Sequence, residues 1–429
     1  MNSPLEMFVD WDSTCAHLRS LGCTSIHAKR LAPNDNSKNQ IYIGRSIESV
    51  SEIPCGALVA HTEGDKMHFR ADVTWSWLDL QDLKVHPAPH TKLIWYTRHD
   101  EVRLSGFMLG CSGASPLLRS RDAGRLLVFG VRPGDGSIAV IVPSDDALAR
   151  SCPWDDLRNR SSAYRTAPEN DSDIRSKLRS LAARGWIESC RLHGGNVVPY
   201  GNNNNSIGYT MEAHFGLAPN GVPGPDYLGW ELKAKTTSAF PLKLKSSPLT
   251  LMTTEPDGGL YADRGLEMFL KTWGYQGDDG RWRITGRHFV GAQHERTGLR
   301  LQLTGFDPAS SKLTNINGGL ELVDADGTVA LRWSLSKLLS KWKGKHQNTA
   351  IVPAMRRVVD GKAYFRFDNT VLLCEGGDIY RMLHCLAARR VYFDPGHYWS
   401  PTKSKKRTML RITLTDLPHL FTTSEFTTL

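Results

Sequence analysis

Residues 208–235 read GYTMEAHFGLAPNGVPGPDYLGWELKAK, and the reading of this stretch decides the fold. Tyr209 to Leu217 has helical character, a Gly/Pro-rich turn ends at Pro225 and Asp226, and Tyr227 to Lys233 alternates as a strand does. On a strand, successive side chains point to opposite faces, so Glu231 and Lys233 share one face while Trp230 and Leu232 share the other. Two charged groups are thereby backed by two apolar anchors. An acid just before a strand, followed by a Glu and a Lys two apart, suits metal-dependent phosphodiester hydrolysis. Asp226 and Glu231 offer hard oxygen ligands to Mg²⁺, and Lys233 can orient or help deprotonate the attacking water and offset charge on phosphorus. Glu212, on the preceding helical segment, reads equally as a further acid of the same cluster or as a helix-surface residue.

The surrounding composition is that of a globular chain with room for two domains of ordinary size: 429 residues, 40 % hydrophobic and 23 % charged. Met1 to Asp12 lacks a basic start followed by an apolar stretch, and no run of roughly 18 apolar residues occurs, which points to a cytoplasmic protein without a membrane span. The eight cysteines form no C-x-x-C pair, so they read as reduced structural thiols rather than zinc ligands or disulfides. The net charge of +9 is unevenly spread: residues 1–170 sum to −1 and the remainder to +10. A polyanion such as DNA would be drawn mainly to the C-terminal part.

Between Gln40 and Val142 short extended segments alternate with Gly, Pro and Asp: Gln40–Ile43, Ala57–His61, Lys92–Tyr96, Arg125–Gly130 and Ser137–Val142. The pattern predicts an all-β domain over 1–150. A polar linker is expected over 151–172, then a mixed α/β domain over 173–429. Within that domain Ile174, Leu178 and Leu181 predict a helix over Asp173–Ala183 that Gly185 ends. A leucine stripe predicts a second helix over Leu331–Trp342, and Asn202–Asn205 reads as a polar loop.

The pattern G-Y-T-M-E, then G-L-A-P-N, then P-D-Y-x-G-W-E-L-K resembles the MvaI and BcnI restriction endonucleases and, more distantly, the MutH mismatch-repair nickase, all of the PD-(D/E)xK nuclease superfamily. The likeness continues through Ser247–Pro256, Trp342–Ala354 and Val391–Ile412, covering roughly residues 170 to 429. It implies a restriction-endonuclease-like α/β domain with a central mixed sheet. It also implies that Asp226 and Glu231 are the Mg²⁺ ligands, Lys233 the catalytic lysine and Glu212 an accessory acid. Met211 stands where the family has Leu, with the neighbouring carboxylate kept. DNA contacts are expected from Lys235, Lys345, His346, His397, Lys403, Arg407 and Arg411. Lysines there suit phosphate, whereas Arg407 and Arg411 are the better candidates for base edges.

Ala28–Ile43 (AKRLAPNDNSKNQIYI) and Tyr96–Leu127 resemble the effector domain of the EcoRII restriction enzymes, a β pseudobarrel that grips the major groove of DNA. Carried over, the contacts are Asn34, Asp35, Lys38 and Gln40 in one loop and Arg98, Asp100, Glu101 and Arg103 in another, a mixture suited to base reading. The two resemblances together imply a type IIE restriction endonuclease. Such an enzyme makes Mg²⁺-dependent double-strand cuts at a short site such as CCWGG and binds a second copy of the site through its N-terminal domain. It would act as a monomer on double-stranded DNA, with no membrane partner and a cognate DNA methyltransferase in the host. The competing readings are a MutH-like strand-specific nickase in repair and a non-cleaving DNA-binding regulator, against which the intact Asp226, Glu231 and Lys233 argue.

Overall fold

A computed structural model describes the chain except for residues 1–9, 34–39, 46, 48–52, 65, 81, 114–115, 121, 133, 154–164, 167–168, 220–224 and 343–344, and the side chains of 116, 165–166 and 169–173. Asn34, Asp35, Lys38 and most of the expected linker therefore lie outside the described residues. The chain divides into two compact units, Met1–Asn170 and Asp171–Leu429. Among the described residues no disulfide joins any of the eight cysteines, and no helix is long and apolar enough to cross a membrane.

The N-terminal unit is built largely of two sheets. One has the strand order Arg165–Thr166, Ser25–Arg30, Leu126–Arg132, Gly136–Val142, Trp75–Leu78 and Val85–Pro87. The other runs Ile41–Gly44, Glu101–Ser105, Lys92–Tyr96, Lys66–Asp72 and Val59–Glu63. Part of the segment expected as linker is thus an edge strand, with Arg165 and Thr166 opposite Ala28 and His27. Helix Trp11–Ser20 closes the core of the first sheet. Asp10 caps it by accepting the N–H of Ser13 at 2.9 Å, while Trp11, Cys15 and Leu18 face Ile26, Val128 and Val140. A cap of this kind contributes about 1 kcal/mol.

In the C-terminal unit the central sheet is mixed. Strand Trp230–Thr236 runs parallel to Asn348–Val359, which pairs antiparallel with Lys362–Phe367 and Thr370–Glu375; Trp186–Glu188 and Thr423–Thr428 complete the sheet. Helix Glu169–Ala183 buries Ile174, Leu178 and Leu181 against it, and helix Ser206–His214 adds Ile207 and Met211 to the same core. Gly185, at φ +66°, follows the first of these helices, as its sequence predicts. Trp230 and Leu232 lie in this core, which fixes the inward face of their strand; each such burial stabilises the fold by about 1.5–3 kcal/mol. The predicted helix Leu331–Trp342 requires correction. Val329–Ser334 is a strand, and the helix runs only from Leu335 to Trp342. Leu331 is buried as a strand residue beside Ala330 and Trp333, and a leucine stripe cannot by itself mark where one period gives way to the other.

Candidate active site

Asp226 lies outside the strand proper. Tyr227 and Trp230 exchange both backbone hydrogen bonds, at 3.0 and 2.8 Å, closing a two-residue turn through Leu228 at φ +45° and Gly229 at φ +83°. Both central residues of such a turn need positive φ, a conformation Gly supplies freely. The strand therefore begins at Trp230 rather than Tyr227. The reversal brings the Asp226 carboxylate back along the chain, where Oδ2 accepts the N–H of Leu232 at 2.8 Å.

Glu231 is buried, with 4 % of its surface exposed. Its Oε1 accepts a hydrogen bond from Lys233 Nζ at 2.9 Å, so the two charged residues of the outward face meet as the alternation predicts. Among the described residues its Oε2 accepts none; Lys345 Nζ stands 3.7 Å away. Burial raises the Glu231 carboxyl above its ordinary range, with Asp226 adding to the rise, while Lys233 and Lys345 pull it down. Glu212, half-buried on helix Ser206–His214, is raised by burial, then by Asp226 and Glu231, and is lowered by the same two lysines. Three acids and two lysines thus share one electrostatic environment.

The donor set fits a hard divalent cation. A carboxylate oxygen buried without a hydrogen-bond donor is an unfavourable arrangement that a cation relieves, and Mg²⁺ takes one or two carboxylates while keeping several waters. A three-carboxylate cage is not formed, since the oxygens of Glu212, Asp226 and Glu231 do not all approach within 4.8 Å of one another. The group that does is Asp79, Asp82 and His86 in the N-terminal unit, where Asp82 is exposed and paired with Lys84 at 2.8 Å.

Several expected DNA contacts are placed elsewhere. His346 is 1 % exposed, and burial together with Lys233 and Lys345 keeps its imidazole neutral, so it cannot reach DNA. Its carbonyl lies so close to Gly377 that a Cβ there would come within 2.1 Å of the oxygen, and Gly377 N donates to Gln347 O at 2.9 Å. This pinned backbone carries Lys345, placing it in the acid cluster rather than on a remote DNA surface. His397 is likewise buried; burial brings it to about 4, and its Nδ1 accepts the N–H of Arg407 at 3.1 Å. Arg411 is held by Asp394 at 2.6 Å and Thr250 at 3.1 Å, while Lys235 donates to Pro248 O at 3.3 Å. Lys403 and Arg407 are exposed on or beside the hairpin of Gly396–Ser400 and Lys403–Lys405.

In the N-terminal unit Gln40 is buried and accepts from Arg103 at 2.9 Å, and Arg103 also bridges Glu101 at 2.7 Å. These three bond to one another within the folded unit. Arg98 and Asp100 are exposed in the turn between strands Lys92–Tyr96 and Glu101–Ser105.

Residues 175–421, more than half of the chain, match the model of the MvaI/BcnI restriction endonuclease family. The chain belongs to that family. Membership of the MvaI/BcnI family makes it a site-specific DNA nuclease. Two solved structures are similar in part. The restriction endonuclease MvaI in complex with its cognate DNA substrate shares 18 % identity at a TM-score of 0.45, covering 59 % of this chain and 97 % of that one. MvaI in the absence of DNA shares 17 % identity at a TM-score of 0.34, covering 61 % and 99 %. No curated protein matches the chain.

Lys345 is the residue of this MvaI/BcnI-type unit whose place sequence reasoning missed. Trp230 pairs with Asn348 and Glu231 with Thr349, so whatever precedes Asn348 emerges at the Asp226 end of the sheet. The signal was a basic residue just before a second buried strand, legible only once the two strands are known to be parallel neighbours.

Proposed function

We propose that the chain is a Mg²⁺-dependent type IIE restriction endonuclease that binds double-stranded DNA and cuts both strands at a short site. The observation that carries this reading is the buried, donor-less Oε2 of Glu231, set among Lys233, Lys345, Asp226 and Glu212. Asp226 and Glu231 hold the Mg²⁺, which when bound supplies Lewis-acid stabilisation of the scissile phosphate. Lys233, an ammonium that Glu231 keeps aimed by accepting from it at 2.9 Å, would orient the attacking water and offset charge on the phosphorus. Glu212 adjusts the field of the pair. Lys403 and Arg407 contact the duplex.

The N-terminal unit acts as an EcoRII-like effector domain, with Arg98 and Asp100 on its DNA-facing turn. It binds a second copy of the site and raises the local concentration of DNA near the nuclease unit. This domain order resembles that of the type IIE enzyme UbaLAI. The chain works as a monomer beside a host methyltransferase that protects the same site.

The test is digestion of a plasmid of known sequence in Mg²⁺, with the ends sequenced. Linear products ending at CCWGG, cut after the second C, are expected; ends at CCSGG would correct the target, and plasmid stalled as open circles would favour a strand nickase. The effector role has its own test. Residues 171–429 alone are expected to lose the preference for two-site over one-site plasmids that the full chain displays, and identical behaviour of the two proteins on both plasmids rules that role out.

A further inference from the structure

The loop Gly286–Leu299 forms an open cavity of about 240 Å³ lined by Arg287, Phe289, Gln293, His294, Glu295 and Arg296, among others, so that one carboxylate stands among its basic groups. Its cations are held in place by aromatic rings. The Arg287 guanidinium lies 5.0 Å from the centre of the Tyr392 ring, and that of Arg296 lies 3.8 Å from the centre of the Tyr275 ring. Stacking on a ring leaves the in-plane N–H groups of a guanidinium free to bind an anion. Among the described residues neither arginine forms an ion pair, the carboxylate of Glu295 in the same lining included.

The loop itself is rigidly built. His288 and Phe393 exchange backbone hydrogen bonds at 2.8 and 3.0 Å, and Arg389 donates to Val290 O at 2.9 Å. Burial and His294 bring the buried His288 down to about 4, so it is neutral. Its Nδ1 donates to Gly286 O, which leaves Nε2 to accept from the Thr297 hydroxyl; that oxygen in turn accepts from His294 Nδ1. The two imidazoles stack at 4.3 Å, and a Cβ on Gly286 would come within 2.4 Å of His294 Nε2, so only glycine lets the loop close on this pair.

The position of the cavity points to its occupant. Thr250, Arg411 and Tyr392 are cross-strand neighbours in one row, with Arg287 over Tyr392 at one end. At the other end Lys235, on the Glu231 strand, donates to Pro248 and feels the charge of Arg411. Basic side chains thus lie along this row, which spans about 10 Å, the width of two strand spacings, with Arg411 in its middle paired to Asp394 and Arg287 at its open end. A DNA strand presents a phosphate every ~3.4 Å of rise and can follow such a row continuously.

We propose that Arg287 and Arg296, in the cavity of the Gly286–Leu299 loop, form a phosphate-binding subsite that grips the DNA backbone away from the scissile bond. The proposal rests on the endonuclease reading above. It is tested on the full chain by binding of a duplex that the enzyme cuts and a duplex that it does not, with Ca²⁺ in place of Mg²⁺, across a salt series. Arg287→Ala and Arg296→Ala are each expected to weaken both duplexes by the same factor, roughly threefold to tenfold, and to lower the log–log salt slope by about one. Arg287→Lys and Arg296→Lys keep the charge and should restore the slope, which separates charge loss from misfolding. Unchanged affinity and slope would overturn the subsite. A loss confined to the cut duplex would overturn it in favour of base reading. If the wild-type chain binds neither duplex, the endonuclease reading itself fails, a result distinct from both.

Discussion

Lys233→Ala is expected to bind DNA as the wild type does when Ca²⁺ replaces Mg²⁺, and to cut it about 10²–10³-fold more slowly in Mg²⁺, a range set by what one preorganised charge-stabilising group contributes. That loss corresponds to about 3–4 kcal/mol of transition-state stabilisation. The fold should survive the change. The strand is anchored by Trp230 and Leu232 on its opposite face, and Lys233, whose side chain is largely buried, donates to Glu231 at 2.9 Å. Single-turnover cleavage, thermal unfolding and binding measured on one preparation separate the chemistry from the fold. Near-normal cutting by the variant would remove Lys233 from the mechanism.

Glu231→Gln should move activity and stability in opposite directions. Its carboxyl titrates above its ordinary value in the folded chain because burial outweighs the two lysines. A carboxyl raised in this way favours folding fully only below about pH 4.5. That contribution is lost as pH rises through the folded-state value, so the ionised group is a liability at pH 8. Gln keeps an acceptor for Lys233 Nζ and removes the buried charge. The metal-free variant is therefore expected to melt higher than wild type at pH 8, with the gap closing as pH falls toward 4.5, while cleavage is lost and Mg²⁺ no longer raises its melting temperature. A variant that melts lower at pH 8 yet is still stabilised by Mg²⁺ would mean that Glu231 is a structural ion-pair partner and not a metal ligand.

What could be read in the sequence follows how local the determining physics is. Glu231, Lys233, Trp230 and Leu232 were legible because two-residue alternation assigns faces without knowledge of any partner strand. The turn at Leu228–Gly229 moved the strand start by three residues but left those faces unchanged. Glu212 was half legible: its helix could be foreseen, whereas its proximity to Asp226 required the packing of that helix on the sheet. The placements of Lys345, His346 and His397 were not legible. A basic or imidazole side chain in a polar stretch reads the same whether it faces DNA or a core, and burial depends on neighbours far along the chain. Gln40 and Arg103 illustrate this in the N-terminal unit, where residues 63 apart in sequence bond at 2.9 Å and so satisfy groups that looked available for base contacts.

The central claim is that Asp226 and Glu231 jointly hold the cation that the cleavage chemistry needs. Its most direct test is a Mg²⁺ titration of single-turnover cleavage comparing wild type with Asp226→Asn, a change that keeps an acceptor for the Leu232 N–H. The account predicts saturable cleavage by the wild type, abolished by EDTA, and no cleavage by the variant at any Mg²⁺ concentration although its fold and DNA binding persist. Wild-type rates and the same Mg²⁺ midpoint in Asp226→Asn would contradict it.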